Sequence, residues 1–266
     1  MTDDKKPEKQ DKQDSRNKIS AGNYDLNKWL FGGYDRDIIT TIYGPAGSGK
    51  TNFCLMACVS QAKSGNKVIF IDTEGGFSLE RFKQIAGSNS DDFSKILENI
   101  LILKPTSFEE QWEAFGKLLK ELKNDRERKI GLIIVDGMTM LYRLELAEKR
   151  ENKNNKEKIQ EIQEINSILA RQMRLLAEIA RKENIPVIVT NQVYSEFLSE
   201  EDLKSGKEKH VFMVGGDILK YWSKCIIELE NKNGKRKAII KKHRSLGEKE
   251  FNFEITRDGI RRKGWI

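Results

Sequence analysis

Histidine, cysteine and uninterrupted apolar stretches are what this sequence has least of. No run approaches the roughly 18 apolar residues of a membrane-crossing helix, so a helical membrane protein is not expected. The N-terminus is charged rather than leader-like, which predicts a soluble cytoplasmic protein with no membrane partner. There are 2 histidines, His210 and His243, and 3 cysteines. Cys54 and Cys58, four apart, lack the further ligands a metal would need and read as small buried hydrophobes. No internal repeat is present. A hydrophobic content of 38% beside 33% charged residues is polar for a globular protein. Spread over 266 residues, it still leaves enough apolar surface for a three-layer α/β core. The net charge of +7 permits a nucleic-acid partner without establishing one.

What is present is organised around Gly44-Pro45-Ala46-Gly47-Ser48-Gly49-Lys50-Thr51, which fits the phosphate-binding pattern G-x-x-x-x-G-K-[ST] without a mismatch. Ile38 to Tyr43 before it is β-branched and apolar. Phe53, Met56, Ala57 and Ser60 after it recur at helical spacing, so strand, loop and helix are predicted in that order. Glycines let successive N–H groups turn inward on a phosphate, and the helix N-terminus adds partial positive charge. Lys50 would reach the outer phosphates as a point charge, and the Thr51 hydroxyl would ligate Mg²⁺. A nucleoside triphosphate is the expected ligand.

Residues 1–18 carry 6 basic and 5 acidic side chains and almost nothing apolar, which predicts a disordered tail; the folded unit is expected over 19–266. Strands are predicted at 67–72, within 96–103, at 131–136 and at 186–192. Helical spacing lies between them over 79–85, 108–122 and 159–180. This alternation predicts an α/β fold, a mostly parallel sheet flanked by helices. Residues 226–256, with Asn233-Gly234 as a hairpin signal, predict a closing antiparallel β-meander.

Ligands of such sheets bind at the carboxyl ends of the strands, where Lys50, Glu74, Asp136 and Gln192 would gather. Asp136 ends an apolar run and is the expected metal partner of Thr51. Glu74 is placed to orient and deprotonate a water at the γ-phosphate. Asp72 is its rival, but strand alternation points it elsewhere. The Gln192 amide could sense the γ-phosphate and pull on the loop that follows.

The set Gly44–Thr51, Asp72-Thr73-Glu74-Gly75, Leu132–Asp136 and Thr190-Asn191-Gln192-Val193 resembles the RecA/RadA recombinase superfamily over roughly residues 20–260. Within it the chain is similar to the archaeal paralogue branch that lacks a helix-hairpin-helix domain before the core and carries Lys242-His243-Arg244-Ser245. The resemblance implies a RecA-like P-loop ATPase core, ATP and Mg²⁺ as ligands, and a role in recombinational DNA repair beside a main RadA-type recombinase. It also implies weak ATP hydrolysis, with Glu74 as catalytic glutamate and Gln192 as nucleotide sensor. No segment before the core resembles a Phe-x-x-Ala polymerisation tether, which favours a small homo-oligomer. Two departures stand out: Gly137 replaces a frequent Ser, and the second DNA loop, 195–214, is acidic in its first half.

Three stretches compete for DNA, with single strands favoured. A first loop, 142–158, offers Arg143, Lys149 and Arg150 but mixes them with four glutamates. Residues 231–247 carry seven Lys/Arg and no acid, Lys235, Arg236 and Lys237 among them. The second loop offers Tyr194, Phe197 and Phe212 for stacking on bases. Each has a plainer alternative as solvated surface or apolar packing. Lys242 and Arg244 could instead reach the γ-phosphate of a neighbouring subunit. Two other functions compete with a DNA-dependent ATPase: a nucleotide-switched binding module, and a KaiC-like signalling ATPase without DNA.

Overall fold

A computed structural model describes residues 17–87, 90–151, 155–195 and 211–264. The first half runs β1 (Lys18–Ile19), α1 (Tyr24–Trp29), β2 (Tyr34–Asp35), β3 (Ile39–Gly44), α2 (Lys50–Lys63), β4 (Lys67–Asp72), α3 (Leu79–Ala86), α4 (Ser90–Glu98), β5 (Ile100–Leu103) and α5 (Phe108–Asn124). The second adds β6 (Ile130–Asp136), α6 (Met140–Glu151), α7 (Asn155–Glu183), β7 (Val187–Ser195), β8 (Val211–Met213), α8 (Gly216–Trp222), β9 (Cys225–Lys232), β10 (Lys235–Lys242), β11 (Glu250–Thr256) and β12 (Gly259–Arg262).

The large sheet has the order β12-β11-β10-β9-β3-β7-β6-β4-β5. From β9 to β5 every pairing is parallel, and from β9 to β12 every pairing is antiparallel. The parallel sheet and closing meander are thus the ones the periodicity predicts. Strand β6 is buried along its whole length because helices cover both of its faces. Alternation sorts the strand residues between two cores. Ile42, Phe70, Leu132, Ile134 and Ile188 join Phe53, Cys54 and Cys58 beneath α2, where burial pushes both thiols up. Ile39, Ile71, Ile133, Val135, Val187 and Val189 face the other way, onto Phe115 of α5 and Leu169, Met173 and Leu176 of α7.

Several boundaries differ from expectation. The tail predicted over 1–18 lies outside the described residues except for Asn17 and Lys18. Lys18 is held in a two-strand ribbon because its ammonium sits 2.9 Å from the buried Asp35 carboxylate. The loop predicted over 142–158 is largely helical, comprising most of α6 and the start of α7. Leu141 and Tyr142 are buried and anchor α6, while Glu145 and Lys149 pair at i,i+4 across 3.7 Å. Long charged side chains of this kind are good helix formers, so their abundance did not mean a loop. The strand expected within 96–103 occupies Ile100–Leu103, after a helix that ends at Glu98. Of the second loop, 196–210 lie outside the described residues. Its flanks pair as β7 and β8, with Val193 opposite Met213.

Candidate active site

Sheet order makes the tips of β3, β7, β6 and β4 consecutive, and register levels them. Gly44 lies opposite Gln192, and Asp72 opposite Asp136. The loop leaving β3 is tight. A Cβ on Gly44 would fall 2.4 Å from the Leu229 carbonyl oxygen of β9, and Gly47 and Gly49 take φ of 70° and 113°. Gly49 caps α2 without a side-chain hydrogen bond, so no side chain competes for the N–H groups of its first turn. The Ser48 hydroxyl in the same loop is buried and has no partner among the described residues. The Lys50 ammonium donates to the Gly44 and Pro45 carbonyls, both at 3.0 Å. Burial lowers its pKa, while the Glu74 and Asp136 carboxylates pull the other way.

Asp136 is 1% exposed. Its Oδ1 accepts from the Thr190 hydroxyl at 2.6 Å, whereas Oδ2 is buried without a partner among the described residues. Burial pushes its pKa up to about 6, against the lowering influence of the Thr190 and Thr51 hydroxyls. A Cβ on Gly76 would lie 3.2 Å from Thr51 Oγ1 and 3.4 Å from Asp136 Oδ2, so the absence of a side chain keeps the space between them clear. A hydroxyl and an orphaned carboxylate oxygen beside a gap suit a hard divalent cation with oxygen ligands, such as Mg²⁺.

Glu74 is exposed at the end of this cluster, and its Oε2 accepts from Gln192 Nε2 at 3.0 Å. Asp72, the rival carboxylate, is occupied elsewhere: it accepts from the Gly76 and Phe77 N–H groups at 2.9 and 3.0 Å and shapes the turn that carries Glu74. The glycine at 137 has a steric reason. Its φ is 99°, and a Cβ would fall 2.4 Å from Thr73 Oγ1 and 2.6 Å from Glu74 Cγ. A serine could not occupy 137 with Thr73 and Glu74 where they are.

The roles of several other residues, among them Thr73, Thr190 and Asn191 of the motifs themselves, emerge only from the fold. Thr190 also receives the Gly137 N–H at 2.7 Å, and Thr73 donates to the Gly137 carbonyl at 2.7 Å. Asn191 accepts from the Thr139 hydroxyl and donates to the Val214 carbonyl at 2.6 Å, tying the β6 tip to the strand beyond the second loop. Beneath it, Gln111 donates to Gln172 at 2.8 Å and to the Met138 carbonyl at 3.3 Å, all buried. Arg81 of α3 reaches Asn52 of α2 at 2.9 Å and the Arg257 carbonyl at 2.8 Å. Such partners lie dozens of positions apart, and no local pattern announces them.

The basic candidates scatter. Arg143 is exposed on α6, Lys149 pairs with Glu145, and the Arg150 side chain lies outside the description. Lys235 is exposed, Lys237 is held by Glu250 at 2.9 Å and Glu230 at 3.7 Å, and Arg236 Nε points to the Gly47 carbonyl at 3.4 Å. Strand β10 ends at Lys242, whose ammonium donates to the Lys220 carbonyl at 2.7 Å. Arg244 lies past the strand end and pairs with Asp35 at 3.2 Å and Asp37 at 2.9 Å. His243 joins the same cluster 3.3 Å from Asp35, and burial lowers its pKa. Among the described residues no helix is long and apolar enough to cross a membrane.

Taken together the site offers backbone N–H groups and a lysine for a polyphosphate, oxygen ligands for a divalent cation, and a carboxylate for a water proton. The Rad51 family matches residues 12–263. The chain is 41% identical over 241 residues to "DNA repair and recombination protein RadB" of Methanobrevibacter smithii, covering 90% of this chain and 93% of the relative. The protein of that name from Methanocaldococcus jannaschii is 41% identical over 235 residues, 88% of this chain and 98% of the relative. That from Methanococcoides burtonii is 42% identical over 238 residues, 89% and 94% respectively.

Proposed function

The chain belongs to the Rad51 family, and on that basis we propose that it is an ATP-binding DNA repair and recombination protein. In this reading it binds DNA, with single strands favoured, assists a main RadA-type recombinase in the cytoplasm, and hydrolyses ATP weakly. One observation carries the proposal. Lys50, Thr51, Glu74, Asp136 and Gln192 converge on adjoining strand tips, with a buried carboxylate oxygen of Asp136 left unpartnered beside Thr51.

The chain's own groups divide the work. The N–H groups at the start of α2 and the Lys50 ammonium bind the phosphates, Lys50 exchanging the Gly44 and Pro45 carbonyls for phosphate oxygens. Thr51 and Asp136 would hold Mg²⁺, which supplies positive charge to the outer phosphates when bound. Glu74 orients the attacking water and accepts its proton. Gln192 spends its amide on Glu74 in this structure. Turning that amide toward a γ-phosphate would release the carboxylate and shift β7, which leads directly into the second loop. The Glu74–Gln192 contact therefore also favours the second reading, a module whose grip on DNA or recombinase is switched by ATP, with hydrolysis incidental.

The test is phosphate release with and without single-stranded DNA, run beside sedimentation. Stimulation by DNA, with binding that weakens steeply as salt rises, is the expected result. A hexamer that turns over ATP and ignores DNA would instead indicate a signalling ATPase.

A further inference from the structure

Strand alternation divides the three consecutive cations of β10. Ala238 and Ile240 lie in the core beneath α2, so Arg236, on the same face, belongs to the side that carries the phosphate loop. Its neighbours crowd that loop. Leu229 of β9 abuts Gly44, and Ile255 and Phe253 of β11 would meet a Cβ on Gly49 at 3.2 and 3.5 Å. Register sets Arg236 between them, opposite Asn231 in β9 and Phe253 in β11. Its guanidinium therefore comes off a packed strand, and Nε reaches the Gly47 carbonyl at 3.4 Å, the long end of hydrogen-bond range.

Most cations near Arg236 are already paired; Lys235 also lacks an ion pair among the described residues, but it stands exposed, whereas Arg236 is half-buried. Lys237 is paired with Glu230 and Glu250, Lys241 with Glu248, and Arg261 with Glu254. Arg236 forms no ion pair among the described residues and has only a neutral carbonyl, at the apex of a loop shaped for anions. A Cβ built on Gly47 would find nothing within 4 Å, so the space beside the apex is open. A planar fork of N–H donors suits phosphate oxygens better than one long contact to a carbonyl.

We propose that Arg236 is a second cation of the nucleotide site, supplied by the β9–β10 hairpin of the same chain, and that its guanidinium leaves Gly47 to bind a phosphate oxygen of a nucleoside di- or triphosphate. This rests on the nucleotide-binding reading above and moves Arg236 from the DNA surface to the phosphate loop. The hairpin thereby becomes a wall that closes on the nucleotide.

Calorimetric titration of the full chain with ATP and ADP tests it, using Arg236→Ala, Arg236→Lys and, as a charge-matched control, Lys241→Ala. A charge-assisted hydrogen bond of this kind corresponds to roughly a tenfold or greater loss of affinity for both nucleotides in Arg236→Ala. Arg236→Lys should recover part of it, and Lys241→Ala should bind like the parent. If the parent binds ATP and Arg236→Ala binds it equally well, the assignment to Arg236 is wrong while the nucleotide site stands. A parent that binds neither nucleotide would remove the site itself. Loss of single-stranded DNA binding in Arg236→Ala at unchanged ATP affinity would return the residue to the DNA surface and overturn the proposal. Should the alanine variant fail to fold, full parental affinity in a folded Arg236→Met variant would be equally fatal.

Discussion

A Glu74→Gln variant should lose ATP turnover by about 10²-fold or more while holding ATP as tightly as the parent. The carboxylate is exposed on the turn after β4, so replacing it removes no packing. Its one hydrogen bond among the described residues, from Gln192 at 3.0 Å, can be kept by the carbonyl oxygen of an introduced glutamine. What an amide cannot do is accept a proton from water. Ground-state binding therefore stays, and only the transition state suffers, which appears in the rate constant and not in affinity. Phosphate release measured beside calorimetric ATP binding checks both halves. Undiminished turnover would show that Glu74 is not the base. If the variant is inactive yet still binds DNA and loads a recombinase, ATP acts as a switch and hydrolysis is secondary.

The second large effect concerns stability and comes from Asp136. Its pKa is raised to about 6 by burial, above the ordinary carboxylate value of 3.8. Between those values the native state holds a proton that the unfolded state has released, so stability falls as pH rises through the window. At about 1.4 kcal/mol per unit, the burden of the buried charge reaches about 3 kcal/mol above pH 6 in the absence of a cation. Asp136→Asn removes that charge and retains an acceptor for the Thr190 hydroxyl. In chelator-containing buffer at pH 8 the variant should be about 2 kcal/mol more stable, roughly 4–8 °C in Tm, with the advantage gone by pH 4. It should also lose the stabilisation that Mg²⁺ with ATP gives the parent. Denaturation curves across pH decide it, and a variant no more stable than the parent at pH 8 would rule out a strained Asp136. A site that keeps an unpaired charge out of water is a familiar exchange of stability for function.

These expectations trace back unevenly to sequence. The phosphate loop was legible because eight consecutive residues carry the whole pattern, and the strands were legible because each is a short apolar run ending in a polar tip. Asp136, Glu74 and Gln192 could be gathered in advance because parallel topology aligns strand ends whatever their separation along the chain. Features that depend on partners far apart were not visible. Lys18 reads as part of a charged tail until Asp35 is beside it, and Arg244 reads as a free cation until Asp35 and Asp37 hold it. The direction of Arg236 depends on how a hairpin packs over a loop 189 positions away. Segment 142–158 is a different case: its mix of charges is equally at home on a solvated helix, and burying Leu141 and Tyr142 is enough to seat one. Gly137 looked like a lost hydroxyl until the positions of Thr73 and Glu74 showed that a side chain has no room there.

Everything here depends on a nucleotide occupying the loop before α2. The most direct measurement is the thermal midpoint of the parent and of Lys50→Ala, each with and without ATP and Mg²⁺. For the parent, ligand at about 100 times Kd should add about 2.7 kcal/mol, read as a rise of several degrees. Lys50→Ala should fold but show little or no rise. A parent midpoint that ATP and Mg²⁺ leave unmoved, or an equal rise in Lys50→Ala, would contradict the account.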